Sequence, residues 1–218
     1  MSLVLHYHPL ASYCWKVLIA LYENDTAFER NIVDLGNEES RNAFLKLWPA
    51  GKFPVLEDRN RNEIIPESSI IIEYLDRHYP GAVRFIPENR DQALKVRLAD
   101  RFYDLHVHER MQKIVGDRIR PAGDRDPYGV EQARSQLATA YGLLEERMAG
   151  RGWAAGEAFS MADCAAFPAL FYAEKVQPFR AGHKNLSAYL DRLSARPSAA
   201  RVVAEAGPYM HFFPEEDR

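Results

Sequence analysis

Four side chains with nucleophilic or hydrogen-bonding groups lie close together near the N-terminus. The segment HYHPLASYCWKV, residues 6 to 17, contains Tyr7, Ser12, Tyr13 and Cys14. A hydroxyl can donate a hydrogen bond that stabilises an anion, and a thiolate can itself attack an electrophile. We therefore expect this segment to contribute to a reactive site, and the question is which of the four groups acts.

The elements on either side of this segment determine where those groups lie. The run LVLHY predicts a short strand that ends before Pro9, and the apolar-rich run from Tyr13 to Tyr22 predicts a buried helix. The N-terminus of a helix offers free backbone N–H groups and favours negative charge. Ser12 comes just before this helix, so its hydroxyl is the preferred donor.

The same part of the chain contains two possible metal ligands and one of the two cysteines. His6 and His8 fall on one face of the predicted strand, but no third ligand is near in sequence, so we predict no metal site. The two cysteines, Cys14 and Cys164, are far apart and in no paired spacing. This argues against a disulfide framework and against a zinc knuckle.

The composition excludes several classes of partner. A formal net charge of −3 and an isoelectric point near 6.2 provide no basic surface for nucleic acid or an anionic membrane. The chain has neither a signal-peptide pattern nor the run of about 18 apolar residues that a membrane helix needs. We expect a cytoplasmic globular protein, and 218 residues suffice for one large or two modest domains.

The periodicity predicts a small mixed sheet followed by helices. In the first 80 residues, strands and helices are predicted in the order β, α, β, α, β, β, α, which implies one compact α/β domain. The segment YPGAVRFIPENR combines two prolines with no helical period and predicts a linker. Beyond it the pattern is helical, with segments predicted at 90–119, around 133–148, and at 161–174, 186–195 and 198–205.

Two motifs of the first domain suit an extended ligand. Pro54 begins a predicted strand, where a cis bond would turn the backbone N–H and C=O of Phe53 toward a peptide-like ligand. An ordinary edge proline fits equally well. Glu67, Ser68 and Ser69 begin a helix, where they would bind a ligand that has both an ammonium and a carboxylate group, or simply cap the helix.

A third motif lies in the helical part. Ser160 and Asp163 have capping-box spacing just before an apolar helix, with Asp in place of the usual Glu, and Phe159 could supply a hydrophobic staple. We interpret Asp163 as a capping residue rather than a catalytic carboxylate.

Together these motifs resemble the soluble glutathione transferase family. FPVL resembles the cis-proline strand of its thioredoxin-like domain, ESSIIIEYL resembles its Glu-Ser helix, and AFSMADCAAFPAL is similar to its capping-box helix. The resemblance extends from Leu3 to about Val203, with features of the beta, zeta and theta classes. It implies a homodimer with an α/β thioredoxin-like domain (βαβαββα) at 1–80, a linker at 81–89 and an all-α domain at 90–218.

The resemblance also implies where glutathione would bind. Glu67 and Ser68 would hold the γ-glutamyl end, and the backbone of Phe53, next to Pro54, would pair with the cysteinyl part. Lys52 stands where many members have Gln and would approach the glycyl carboxylate.

The same resemblance places the second substrate against the helical domain. Tyr103, His106 and Arg110 fall at helical spacing on one predicted helix, so we expect them to line that site.

A glutathione transferase must lower a thiol pKa of about 8.5 toward neutrality, for which one hydroxyl at a helix N-terminus suffices. Ser12 falls where beta-type members have their Cys, whereas the serine of Ser-type members would fall on Ala11. Tyr7 is the alternative, because Tyr-type members have Tyr-x-Pro at the end of the first strand. Tyr13 would reach from the first helical turn. We expect Cys14 to be buried; if exposed, it would form a mixed disulfide with glutathione.

We therefore predict an enzyme that uses glutathione as co-substrate, with no metal, and transfers it to a small apolar electrophile, in a detoxification role. One alternative keeps the site and changes the reaction to isomerisation, dehalogenation or peroxide reduction. CWKVLIAL resembles the zeta-type isomerases, although these have Ser-Ser-Cys where this chain has Ala11, Ser12 and Tyr13. The other alternative is a non-catalytic binding or regulatory protein on the same scaffold.

Overall fold

The computed structural model describes residues 2–215. Its first part contains a four-stranded sheet and three helices. In chain order these are β1 (Leu3–Tyr7), α1 (Ser12–Glu23), β2 (Glu29–Ile32), α2 (Glu38–Leu47), β3 (Val55–Asp58), β4 (Glu63–Pro66) and α3 (Ser68–His78).

The sheet has the mixed topology that the sequence predicts. The spatial order is β2-β1-β3-β4, with β1 parallel to β2 and antiparallel to β3, and β3 antiparallel to β4. All five residues of β1 are buried, whereas the edge strand β2 is exposed and begins with charged residues. The predicted βαβαββα order is confirmed.

The second part is helical, and no strand occurs in it within the described chain. Its helices are α4 (Arg90–Phe102), α5 (Glu109–Arg118), α6 (Pro127–Met148), α7 (Met161–Val176), α8 (Lys184–Ser194) and α9 (Pro197–Ala206). Short 3₁₀ turns lie at Ala122–Asp124 and Gly207–Phe212. An all-α second domain is thereby confirmed, while the exact limits proposed for the domains and the linker stay predictions.

The predicted long helix at 90–119 contains one irregular turn. Residues Tyr103–His108 form a π-helical segment between α4 and α5, in which the N–H of Glu109 donates to the C=O of Asp104. Because a π turn accommodates an extra residue relative to an α turn, it shifts which side chains downstream face the core.

Helix α7 is central to the helical domain and packs against α1, α4, α8 and the π segment. It begins with the predicted capping box of Ser160 and Asp163. The buried Asp163 carboxylate also accepts hydrogen bonds from the Ala154 N–H at 2.8 Å and the Tyr189 hydroxyl at 2.6 Å. These contacts fit the capping interpretation and anchor α7 to the loop before it and to α8.

Candidate active site

A cleft at the junction of the sheet domain and the helical domain contains two adjoining cavities. The smaller has a volume of about 200 Å³ and the larger about 720 Å³. Both are lined by Tyr13 at the start of α1, by Lys52 and Phe53 before β3, and by Glu109 at the start of α5. Ligands in the two cavities would therefore meet beside the N-terminus of α1.

The smaller cavity brings together all the residues predicted to bind glutathione. Lys52, Phe53, Pro54, Glu67 and Ser68 line it, and the Phe53–Pro54 peptide bond is cis. Glu67 has φ 70°, a conformation that non-glycine residues rarely adopt and that is typical of functional positions. Ser68 is the first residue of α3, so the free N–H groups of that helix lie at this cavity.

A buried ionic network supports this cavity from behind. The Lys16 ammonium, only 1 % exposed, lies 2.8 Å from Ser69 Oγ, 2.9 Å from Asp104 Oδ2 and 2.5 Å from Asp100 Oδ1. Arg101, which lines the cavity, pairs with both carboxylates and also donates to Ser69. The network joins α1, α3 and α4 to the π segment, and losing one partner would leave a buried charge uncompensated.

Ser12 lines the larger cavity and contacts two residues from the helical domain. Its Oγ lies 2.5 Å from His108 Nε2 and accepts a hydrogen bond from Gln112 Nε2 at 3.2 Å. Tyr13 stacks on the His108 ring, with ring centroids 3.8 Å apart and nearly parallel planes. Ser12 is thus oriented by neighbours 96 and 100 positions away in the chain.

The protonation state of His108 determines what Ser12 can do. Burial, assisted by the Lys16 ammonium, lowers the pKa of His108 to about 3, so the ring is neutral near pH 7. A neutral imidazole has one donor nitrogen and one acceptor nitrogen. When Nε2 carries the proton, Ser12 Oγ accepts from both His108 and Gln112, and its own proton is free to be donated to a ligand.

The other three candidates for thiol activation are less well placed than Ser12 relative to the two cavities. Tyr7 is 2 % exposed and lines neither cavity. Cys14 is fully buried, as predicted, and burial raises its pKa to about 12. Tyr13 does border both cavities, but its hydroxyl lies 3.5 Å from the Asp104 carbonyl and its pKa is raised by burial. Among the four groups, Ser12 combines access to the cleft with oriented partners.

The prediction that Tyr103, His106 and Arg110 share one face toward the second substrate is wrong. Tyr103 is buried at 1 % exposure, His106 is exposed and borders neither cavity, and Arg110 alone lines the larger cavity. The physical reason is the π segment, because helical spacing no longer places residues on one face where the turn widens.

Sequence reasoning also missed residues that the fold brings to the cleft. Lys16 is a charged residue within the otherwise apolar helix α1, and Asp100 and Asp104 follow each other at a spacing of one helical turn. That combination is a signal of a buried ion pair. No comparable local pattern marks His108 or Gln112.

Other features of the described residues bear on metals and membranes. No group of three or more metal-ligating side chains occurs within residues 2–215. In the same range, no helix combines the length and the apolar character needed to cross a bilayer. Cys14 and Cys164 are both free and buried.

The sheet, the helical domain and the cleft define a thioredoxin-like domain joined to an all-helical domain. Comparisons with known proteins agree with this fold. Residues 5–83 match the family model for the N-terminal domain of glutathione S-transferase, and residues 127–192 match the model for its C-terminal domain. The chain belongs to the glutathione S-transferase family.

Individual relatives cover most of the chain. Glutathione S-transferase 3 of Zea mays is 29 % identical over 90 % of this chain and 90 % of its own. Glutathione S-transferase GstB of Escherichia coli K12 is 25 % identical over 86 % of this chain and 91 % of its own. A crystal structure of a glutathione S-transferase from Methylobacillus flagellatus with glutathione bound has a TM-score of 0.84 at 26 % identity, covering 92 % of this chain and 98 % of that one.

Proposed function

We propose that this member of the family is a glutathione transferase in which Ser12 stabilises the glutathione thiolate. The observation that carries the proposal is that the two cavities share lining residues. The residues suited to glutathione line one cavity, and the hydroxyl of Ser12 lines the other, next to their junction at Tyr13.

The smaller cavity matches the charges of glutathione. The Glu67 carboxylate would accept hydrogen bonds from the γ-glutamyl ammonium, while the Ser68 hydroxyl and the free N–H groups of α3 would donate to the γ-glutamyl carboxylate. The Lys52 ammonium would pair with the glycyl carboxylate at the opposite end. This orientation directs the cysteinyl sulfur toward α1 and Ser12.

Thiolate formation follows from the arrangement around Ser12. With His108 Nε2–H and the Gln112 amide donating to Ser12 Oγ, the Ser12 proton is free to be donated to the sulfur. This hydrogen bond and the N-terminus of α1 lower the thiol pKa, and the released proton passes to solvent. The thiolate then forms a C–S bond with the electrophile as the leaving group departs with its electron pair, or as the pair of an activated double bond shifts and is protonated.

Substitution of Ser12 tests the proposal. We expect Ser12→Ala to lower kcat/KM by about a hundredfold, the effect of losing one preorganised donor to a reactive anion. Tyr7→Phe, which removes a hydroxyl that does not reach the cleft, is the matched control and should change kcat/KM less than about twofold.

A direct readout is the ultraviolet absorbance of the bound thiolate as a function of pH. Its apparent pKa should rise by about one unit or more in Ser12→Ala and stay constant in Tyr7→Phe. The opposite pattern, with activity retained in Ser12→Ala and lost in Tyr7→Phe, would assign the role to Tyr7 instead.

We also propose that the protein is a homodimer formed through α3 and α4. Three large apolar side chains on these helices are strongly exposed: Ile70 at 53 %, Leu94 at 67 % and Leu98 at 63 %. Leu94 and Leu98 are one turn apart on the same face of α4. Neighbouring exposed apolar side chains of this size are typical of an interaction surface. A cytoplasmic location, expected from the sequence pattern, and a role in detoxification, expected from the resemblance, stay predictions.

A further inference from the structure

Most side chains that the helical domain contributes to the larger cavity end in polar or charged groups. Helices α5 and α6 contribute only two small residues, Gly129 and Ala133, and otherwise polar side chains: Glu109, Arg110, Gln112, Lys113, Gln132 and Gln136. Among the residues that the structure describes, no Leu, Ile, Val or Met lines this cavity. Its aromatic side chains are those of Tyr13 and Phe53, which also line the smaller cavity.

The charges of this lining are predominantly positive. Lys52, Arg110 and Lys113 face one carboxylate in the lining, that of Glu109. Lys113 is already paired with Asp126 at 2.5 Å. Lys52 is assigned above to the glycyl end of glutathione. Arg110 is therefore the cation left for a second ligand.

The guanidinium of Arg110 is held in place by hydrogen bonds to neutral acceptors and forms only a weak ion pair with a carboxylate. Its Nη1 donates to Gln136 Oε1 at 3.0 Å and its Nε to the Leu105 carbonyl at 3.2 Å, both neutral acceptors. The nearest carboxylate, that of Glu109, lies 3.4 Å from Nη2 and is about half exposed to solvent. An incoming anion could take its place, because Arg binds planar carboxylates through two parallel hydrogen bonds.

We propose that the electrophile of this enzyme carries a carboxylate, which Arg110 binds while the reactive carbon faces the thiolate beside Ser12. The proposal rests on the transferase function proposed above and replaces the small apolar electrophile expected from the sequence. The amides of Gln132 and Gln136 serve as additional hydrogen-bonding groups around the same anion. An uncharged, fully apolar electrophile would instead have to desolvate this lining without replacing its hydrogen bonds.

A matched pair of electrophiles tests the proposal: para-chloro-dinitrobenzoate and its methyl ester, which share the reactive carbon and differ in charge. Initial rates with saturating glutathione are divided by the uncatalysed rate for each compound, so that intrinsic reactivity cancels. We expect the wild-type enzyme to favour the acid over the ester by about tenfold, the effect of one charge-assisted contact at a partly exposed site. Added salt should reduce this preference.

Charge variants connect the preference to Arg110. Arg110→Gln should lower kcat/KM for the acid about tenfold and for the ester less than about twofold, and Arg110→Lys should restore part of the loss for the acid. Arg151→Gln removes the same charge from an exposed residue that lines neither cavity and should leave both rates unchanged.

Three results would overturn the proposal. An equal or higher relative rate for the ester in the wild-type enzyme removes the anionic preference, and an equal loss for both compounds in Arg110→Gln makes the role of Arg110 structural. The first result makes the electrophile class wrong, and the second makes the assignment of Arg110 wrong; in both cases transferase activity itself is still observed, so the proposed function stands. If neither compound reacts faster than without enzyme, both this proposal and the proposed function fail.

Discussion

Acidification should destabilise this protein, and His108 should account for about 2 kcal/mol of the loss between pH 7 and pH 5. Burial lowers the pKa of the folded His108 to about 3, while histidine in an unfolded chain titrates near 6.5. Below pH 6.5 the unfolded state therefore binds a proton that the folded state does not. The stabilisation is fully present above pH 6.5 and is lost progressively as the pH falls toward 3. Integrating this difference in proton binding from pH 7 to pH 5 gives the quoted value.

The measurement is urea-induced unfolding at the two pH values, with the protomer concentration held fixed because a dimer would unfold in a concentration-dependent way. The wild-type protein and His108→Asn are compared by their change in unfolding free energy between pH 7 and pH 5. Asn keeps an amide that can hydrogen-bond to Ser12, and a constant cost of the substitution cancels in the difference. His106→Asn is the control, since its side chain is exposed on the same π segment.

The wild-type protein should lose about 2 kcal/mol more than His108→Asn on acidification, and His106→Asn should match the wild type. His6 and His8 also have pKa values lowered by burial, but both are retained in all three proteins and contribute equally. If His108→Asn shows the same acid sensitivity as the wild type, then burial does not lower the pKa of His108, and its ring gains a proton in the folded protein between pH 7 and pH 5. The neutral imidazole that orients Ser12 would then be lost below about pH 6.5 instead of persisting to pH 5.

Two further substitutions test the helical domain and the proposed dimer. Asp163→Ala should lower the unfolding free energy by about 3 to 5 kcal/mol in urea titrations, because it leaves several buried donors without an acceptor. A loss below about 1 kcal/mol would contradict the capping role of Asp163. Leu98→Glu should shift the protein from dimer to monomer in sedimentation velocity, whereas Ile119→Glu, at a position exposed to 71 %, should not. A wild-type protein that sediments as a monomer at micromolar concentration would contradict the dimer.

The fold was predictable because its signals are local. Apolar runs bounded by Pro9, by Pro49 and Gly51, and by Pro80 and Gly81 separate the elements of the sheet domain in the correct order. The capping box at Ser160 likewise marks the start of α7 within a few residues of sequence. Such patterns depend on backbone preferences and periodicity, which a single sequence contains.

The cleft was only partly predictable, because its parts come from both domains. Residues that belong to one short segment, such as Glu67 and Ser68, could be placed together from their order alone. The contact between Ser12 and His108 depends on how α1 packs against the π segment, which no local pattern encodes. The incorrect placement of Tyr103 and His106 has the same origin, since regular helical spacing was assumed across an irregular turn.

The π segment contacts α1 at two points, one beside each cavity. Ser12 and Lys16 are one turn apart on α1, and they contact His108 and Asp104, which are one turn apart on the facing segment. The two contacts run in opposite directions along the chain: one lies at the Ser12 hydroxyl, and the other lies in the ionic network behind the smaller cavity. If the same residues formed a regular α-helix, the extra residue of the π turn would rotate the following helix by roughly 100° relative to the preceding one. Arg110 and Gln112 would then leave the cleft, so the irregular turn is what places both Arg110 and the hydrogen-bond partners of Ser12 at the larger cavity.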